Sequence, residues 1–236
     1  MRCLTLVFAL SATLPIYAAR QTARLLSPSP GATLPVALGT ALRAQRLTVG
    51  QIVTARLLQR VPLSDRAYLP SKAEIVGHIV ASSASSLSIL FTELQWKDQT
   101  VPIHVRLVAA ASSNNVYQTT LSLGGTDRGT SDPADWTTRQ VGGDEVYLSA
   151  GSGKVYDRYS QPVGYANFNG VYADPASVGE LPRAMGPFST TATGLHGLSG
   201  LSIVSPGSAG TPITFRVSGP KWQIASGCAL LLEVVD

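Results

Sequence analysis

The hydrophobic pattern is most regular between residues 51 and 110. In "QIVTARLLQRV" Val53, Ala55, Leu57 and Val61 share one face, and Thr54, Arg56 and Arg60 share the other. A period of two predicts a half-buried strand. "AEIVGHIV" carries Ile75 and Ile79 on one side and Val76 and Val80 on the other, which predicts a central strand covered on both faces. "SLSILFTEL" puts Leu87, Ile89 and Phe91 on one side. "TVPIHVRLV" alternates Val101, Ile103, Val105 and Leu107 inward with His104 and Arg106 outward. Lys97-Asp98-Gln99 predicts a tight hairpin between these two. Pro102 cannot donate to a ladder and so predicts an edge or a bulge. Together with "GTALRAQ" at 39–45, the pattern predicts a small β-barrel or sandwich over residues 36–110.

The flanks read differently. Residues 19–35 contain Ser-Pro-Ser-Pro-Gly and predict a linker. Residues 111–140 are rich in Ser, Thr, Asn and Gly and predict a second linker, with Trp136 as an isolated large apolar residue. Residues 141–236 predict a second, glycine-rich β region. Its short apolar runs, Glu145–Ser149, Lys154–Asp157, Val163–Tyr172, Leu201–Val204, Ile213–Val217, Trp222–Ile224 and Ala229–Val235, are separated by glycine-containing turns. No helix of ordinary length is expected, and the fold class is all-β.

Composition narrows the compartment and the partners. The 236 residues include 22 glycines, only 14% charged residues and 7% aromatics, as suits a turn-rich β protein. A formal charge of +4, with no two basic residues adjacent, gives no basic stripe and predicts no nucleic-acid partner. The start, "MRCLTLVFALSATLPIYAARQ", has one early arginine, an apolar run from Leu4 to Ala12, Pro15 and then Ala18-Ala19. That is signal-peptide architecture, with residues 1–18 removed. It predicts an exported protein, periplasmic or extracellular, with no transmembrane segment after cleavage. Only Cys228 then remains, a buried structural thiol rather than a disulfide partner.

Several phrases resemble a known family. Leu38-Gly39-Thr40, "VGQIVTARLLQRVPL", the proline-led "LPSKAEIVGHIV" and "VPIHVRLVAAA" are similar to the small β domain of TrbI-type components of bacterial type IV secretion core complexes. In that family a proline–glycine phrase precedes a central strand, and Leu69-Pro70 with Gly77 match it here. Across the whole chain, Trp136 to Tyr147 and Ser226 to Val235 resemble phrases in a group of exported bacterial β-rich proteins with no assigned activity. The resemblance implies a fold and an envelope setting and leaves the activity open.

Searches for chemistry return little. His78, His104 and His196 form no H-x-H or H-x-x-x-H pair, so no metal and no cofactor is expected. "GLHGLSG" at 194–200 places His196 and Ser199 in one loop without identifying a base and its orienting partner. It is the named candidate for a cryptic hydrolase. Asp127, Asp132 and Asp135 sit in the second linker without the spacing of a calcium loop. Asp144 and Glu145 are adjacent and are predicted to point to opposite faces. The remaining candidate is a binding surface of Tyr147, Tyr156, Tyr159, Tyr165, Phe168 and Tyr172, where flat apolar rings with polar tips suit a sugar or a protein partner. The expected function is that of a non-catalytic exported β protein acting by binding or assembly in the bacterial cell envelope. A carbohydrate-binding module using the Tyr147–Tyr172 surface is the alternative. The partner is an envelope protein or a glycan.

Overall fold

The computed structural model describes residues 27–43, 46–120, 137–149, 152–219 and 222–236. The expected leader at 1–18, Trp136 and the three linker aspartates lie outside these. In chain order, the first strands are β1 (Thr33–Leu38), β2 (Leu42–Arg43), β3 (Ile52–Leu57), β4 (Val61–Pro62), β5 (Tyr68–Leu69), β6 (Glu74–Ser82) and β7 (Ser86–Trp96). Next come β8 (Gln99–Pro102), β9 (Val105–Ala111) and a single helix among the described residues, α1 (Ser113–Thr120). A second run comprises β10 (Thr137–Arg139), β11 (Glu145–Ser149), β12 (Ser152–Tyr156), β13 (Pro162–Asn167), β14 (Gly170–Ala173) and β15 (Arg183–Ala184). The chain closes with β16 (Gly194–His196), β17 (Leu201–Ser205), β18 (Ile213–Val217), β19 (Gln223–Ile224) and β20 (Ala229–Val234). The protein is all-β, as its patterning predicts, with one nearly closed barrel-like sheet and a second curled sheet.

The barrel sheet runs β16-β9-β20-β1-β3-β6-β7-β18-β17, and β8 adds to the far half of β7. It therefore combines strands from residues 33–111 with strands from residues 194–234, and the second sheet, β10 to β15, is inserted between them. The divisions 36–110, 111–140 and 141–236 do not coincide with the sheets. Closure is made where the Leu107 amide donates to the Pro206 carbonyl at 2.6 Å. The interior is filled from every strand, by Leu34, Val53, Ile75, Ile89, Phe215 and Leu232 among others.

The stretch read as a linker over 19–35 contains the first half of β1, Thr33 to Pro35. Leu34 and Val36 are fully buried. Pro35 is tolerated in this inner strand because its carbonyl accepts from Leu58, just past the end of β3. Its missing N–H faces that same side, so no bond to β20 is lost. Pro102 ends β8, which pairs only with β7, the edge that its lack of an N–H predicts. β6 is central but covered on one face: Val76, His78 and Val80 on the outside stay half-exposed while Ile75 and Ile79 are buried. A barrel wall has only one dry side. His78 lies opposite Ile52 and Leu90, and exposed His104 sits between β8 and β9, so these histidines do not face one another.

The second linker also holds structure. The Ser112 hydroxyl accepts from the Asn115 amide, an N-cap for α1, and donates to Asn115 Oδ1.

Two kinds of contact fix the sheets together. On the outer face of the barrel, Ala109, Ala111, Ala229 and Leu231 pack against Val141, Ala173, Met185, Phe188 and Ala192. Burying Phe188 alone stabilises this junction by about 1.5–3 kcal/mol. Polar bonds are set into the same seam. The Thr33 hydroxyl donates to the Ala184 carbonyl at 2.7 Å, and the Tyr172 hydroxyl to the Arg60 carbonyl at 2.9 Å. Gln59, only 5% exposed, bonds to Val171 and Gly186.

Burial pushes the Cys228 thiol up to about 12 from 9.0, and burial followed by neighbouring tyrosines raises Tyr172 and Tyr165 above 10.0. The folded state thus holds protons that the unfolded chain releases. Their contribution is complete below pH 9 and is lost as the pH rises toward 12. Urea midpoints are expected to fall steadily from pH 9 upward. In Cys228→Ala the slope between pH 9 and 10 should flatten, because the tyrosines titrate later. An unchanged slope would remove the thiol from this account.

Candidate functional site

The six aromatic residues of the expected binding surface are not gathered into one patch. Cross-strand register puts Tyr147, Lys154, Tyr156, Tyr165 and Tyr172 on one face of the second sheet. Tyr147 and Tyr156 meet edge to face with centroids 5.4 Å apart, and Tyr165 stacks on Tyr172 at 5.3 Å. Tyr172 is buried against the barrel, so it anchors rather than binds. Phe168 is 87% exposed at the tip of the β13–β14 hairpin, and Tyr159 is 68% exposed at the tip of the β12–β13 hairpin. Three roles have replaced one: packing for Tyr172 and Tyr165, half-exposed cross-strand pairing for Tyr147 and Tyr156, and projection for Tyr159 and Phe168.

Tyr159 belongs instead to a groove that sequence spacing does not reveal. Its floor is the turn joining β10 to β11, Gln140 to Asp144. The Gln140 amide donates to the Asp144 carbonyl at 2.8 Å and the Gly143 amide to the Gln140 carbonyl at 3.0 Å. Gly142 and Gly143 have φ of +105° and +110°, a conformation that glycine adopts freely. At Gly142 a Cβ would also collide with the Ser189 hydroxyl. The segment 185–192 is bolted to this turn. Asp144, 2% exposed, takes two bonds on Oδ2, from the Thr190 amide at 2.7 Å and the Thr190 hydroxyl at 2.8 Å. Glu145, next to it, points the other way and pairs with Arg139 at 2.6 Å, the opposed orientation expected of adjacent strand residues.

Two clefts open on either side of Gly142 and share Gly142 and His196. The first, about 340 Å³, is lined by Asp144, Asp157, Arg158, Tyr159, Thr191 and Thr193 among others. The second, about 390 Å³, lies against α1, with Asn115, Gln118, Arg139 and Gln140 in its wall. Both fall in the size range of small-ligand sites. The hairpin tip that presents Tyr159 is rigid. Asp157 Oδ1 accepts from the Tyr159 and Gln161 amides, each at 2.8 Å. The Arg158 guanidinium lies 4.9 Å from the Tyr159 ring centroid, a cation–π contact.

His196 is placed by β16, which pairs in parallel with β9, and its carbonyl accepts from Ser112 ahead of α1. Its Nε2 lies 3.1 Å from the Thr193 carbonyl. A carbonyl only accepts, so Nε2 carries a proton and donates it to this bond. Ser199 is exposed in the following turn, and no hydrogen bond joins it to His196 among the described residues. Among those residues, too, no cluster of three His, Cys, Asp or Glu could hold a metal ion, and no helix is long and apolar enough to cross a membrane.

Compared with known proteins, the chain matches no family model, no curated protein and no solved structure. Gly77 lies in β6 tight against its paired neighbour β7, where the Leu90 carbonyl and Phe91 Cα fill the space a side chain would need.

Proposed function

We propose that the protein acts by binding or assembly in the bacterial cell envelope, exported to the periplasm or beyond, and does so without transforming its partner. The observation that carries the reading is the groove flanking Gly142. Its walls come from four elements: the 140–144 turn, the 189–196 segment hydrogen-bonded to it, the β12–β13 hairpin tip and α1. Rigid walls and short hydrogen-bonding side chains give recognition at low ordering cost. A glycan or an envelope protein fits the reading. The leader-like residues 1–18 supply the envelope setting.

Two measurements test it together. Intact mass of the chain from a fractionated host should correspond to cleavage near Ala18, with the protein in periplasm or medium. Immobilised mature protein should retain material from envelope extract, and Thr193→Arg, which crowds the groove from an exposed position, should retain much less. A full-length cytoplasmic chain, or equal retention by both proteins, would count against the proposal.

A further inference from the structure

We infer that the groove on either side of Gly142 is a saccharide-binding site, with Tyr159 as its stacking platform. The inference rests on the binding role proposed above and moves the expected sugar surface from the face of the second sheet to this groove.

The first support is an orphan atom. Gln140 is only 5% exposed and lines the second cleft. Its Nε2 donates to the Gly186 carbonyl at 2.9 Å, while its buried Oε1 has no hydrogen-bond partner. A buried acceptor left without a donor is costly. A ligand that brings an O–H or N–H into this cleft removes that cost. The orphan is an acceptor, so it calls for a donor on the ligand and gives nothing to a carboxylate or a fully ionised phosphate.

Charge points the same way. Asp144 and Asp157 line the first cleft, and Arg139, in the second, is already paired with Glu145. Anions meet two carboxylates here, and the cationic Arg158 is engaged on the Tyr159 ring. A neutral polyhydroxyl ligand avoids the repulsion and can use the Thr191 and Thr193 hydroxyls, the His196 ring and the Gln118 amide. Tyr159 supplies the remaining element. Its backbone amide is held by Asp157 while the residue remains 68% exposed, and its ring gives a flat apolar surface for the C–H face of a sugar ring.

The test uses mature full-chain protein and calorimetric titration with maltotriose, cellotriose and chitotriose, with inorganic phosphate as the anionic probe. At least one trisaccharide is expected to bind at or below about 10 mM, with phosphate inactive. Tyr159→Ala, an exposed position, should weaken that binding about tenfold or more, and Tyr147→Ala should leave it unchanged. Loss in Tyr147→Ala with retention in Tyr159→Ala would put the sugar on the sheet face and overturn the placement. Silence from all three sugars, or binding of phosphate alone, would overturn the ligand class. If the sugars fail while Thr193→Arg still abolishes capture from envelope extract, the envelope-binding role stands and the saccharide inference falls.

Discussion

Gln59→Ala is expected to lower the free energy of unfolding by about 3–5 kcal/mol, far more than a polar-to-alanine change on a β surface. The Gln59 side chain behaves as a short piece of strand. Its Nε2 donates to the Val171 carbonyl at 2.8 Å, and its Oε1 accepts from the Val171 amide at 3.0 Å and the Gly186 amide at 2.9 Å. Truncation leaves two backbone amides in the seam between the sheets, those of Val171 and Gly186, without partners, while the Val171 carbonyl keeps its bond from the Met185 amide at 2.9 Å. Each such group costs about 1–3 kcal/mol, reduced wherever water reaches it. A double-mutant cycle with Gly170 isolates the clamp. Gly170 has φ +141°, and a Cβ there would lie 2.5 Å from Gln59 Cδ. Gly170→Ala alone therefore suffers both backbone strain and collision. With Gln59 truncated, the collisions with Cδ and Oε1 disappear and the strain remains with a single close approach, to the residue 59 Cβ at 2.7 Å. The combined loss in urea unfolding should fall short of the sum of the single losses by about 1 kcal/mol or more. Additive losses would mean that Gln59 does not clamp the sheets.

The barrel wall was legible because its strands obey one rule, an apolar residue at every second position. β3, β7 and β9 follow it, and the inward residues the pattern selects, such as Val53, Leu87 and Val105, are buried. β1 escaped because Ser-Pro-Ser-Pro-Gly runs straight into it, and local signals cannot show that the N–H lacking at Pro35 faces the side where β3 has already ended. The shared sheet escaped for another reason. β20 pairs with β1 across some 200 residues, through registers such as Val36 opposite Leu230, and no local signal encodes such a pairing. α1 was readable in principle from Ser112 and Asn115 at capping spacing. The tyrosines illustrate the limit on sites. They are close in sequence, yet strand parity and hairpin tips distribute them among packing, pairing and projection. The groove draws on Gln140, Tyr159 and His196, which only the tertiary fold brings together. Gln59 looked like any neutral polar residue because a side chain that substitutes for backbone leaves no trace in hydropathy.

Gly77→Ala is expected to be the most damaging single methyl addition in the barrel, costing about 3–5 kcal/mol and lowering the thermal midpoint by about 10 °C. Gly77 sits in β6 where its register with β7 shifts, opposite Phe91. A Cβ there would run into the Leu90 carbonyl oxygen and approach Phe91 Cα at 2.8 Å. Both are backbone atoms of the neighbouring strand, so no side chain can rotate away, and relief requires β6 and β7 to separate. These two strands are adjacent and inner in the sheet, and Ile75, Ile79, Ile89 and Phe91 along them are core residues. Separating them opens the barrel core. Gly143→Ala provides the contrast. Gly143 has φ +110°, but an added Cβ there meets nothing within 4 Å, so that substitution carries backbone strain of about 1–2 kcal/mol without collision. Gly77 is absent from the positive-φ residues, and its cost is therefore steric. Thermal unfolding of the two variants side by side separates the two causes. A Gly77→Ala shift no larger than that of Gly143→Ala would show that β7 can yield, and that the close approach is not what fixes the shape of the barrel.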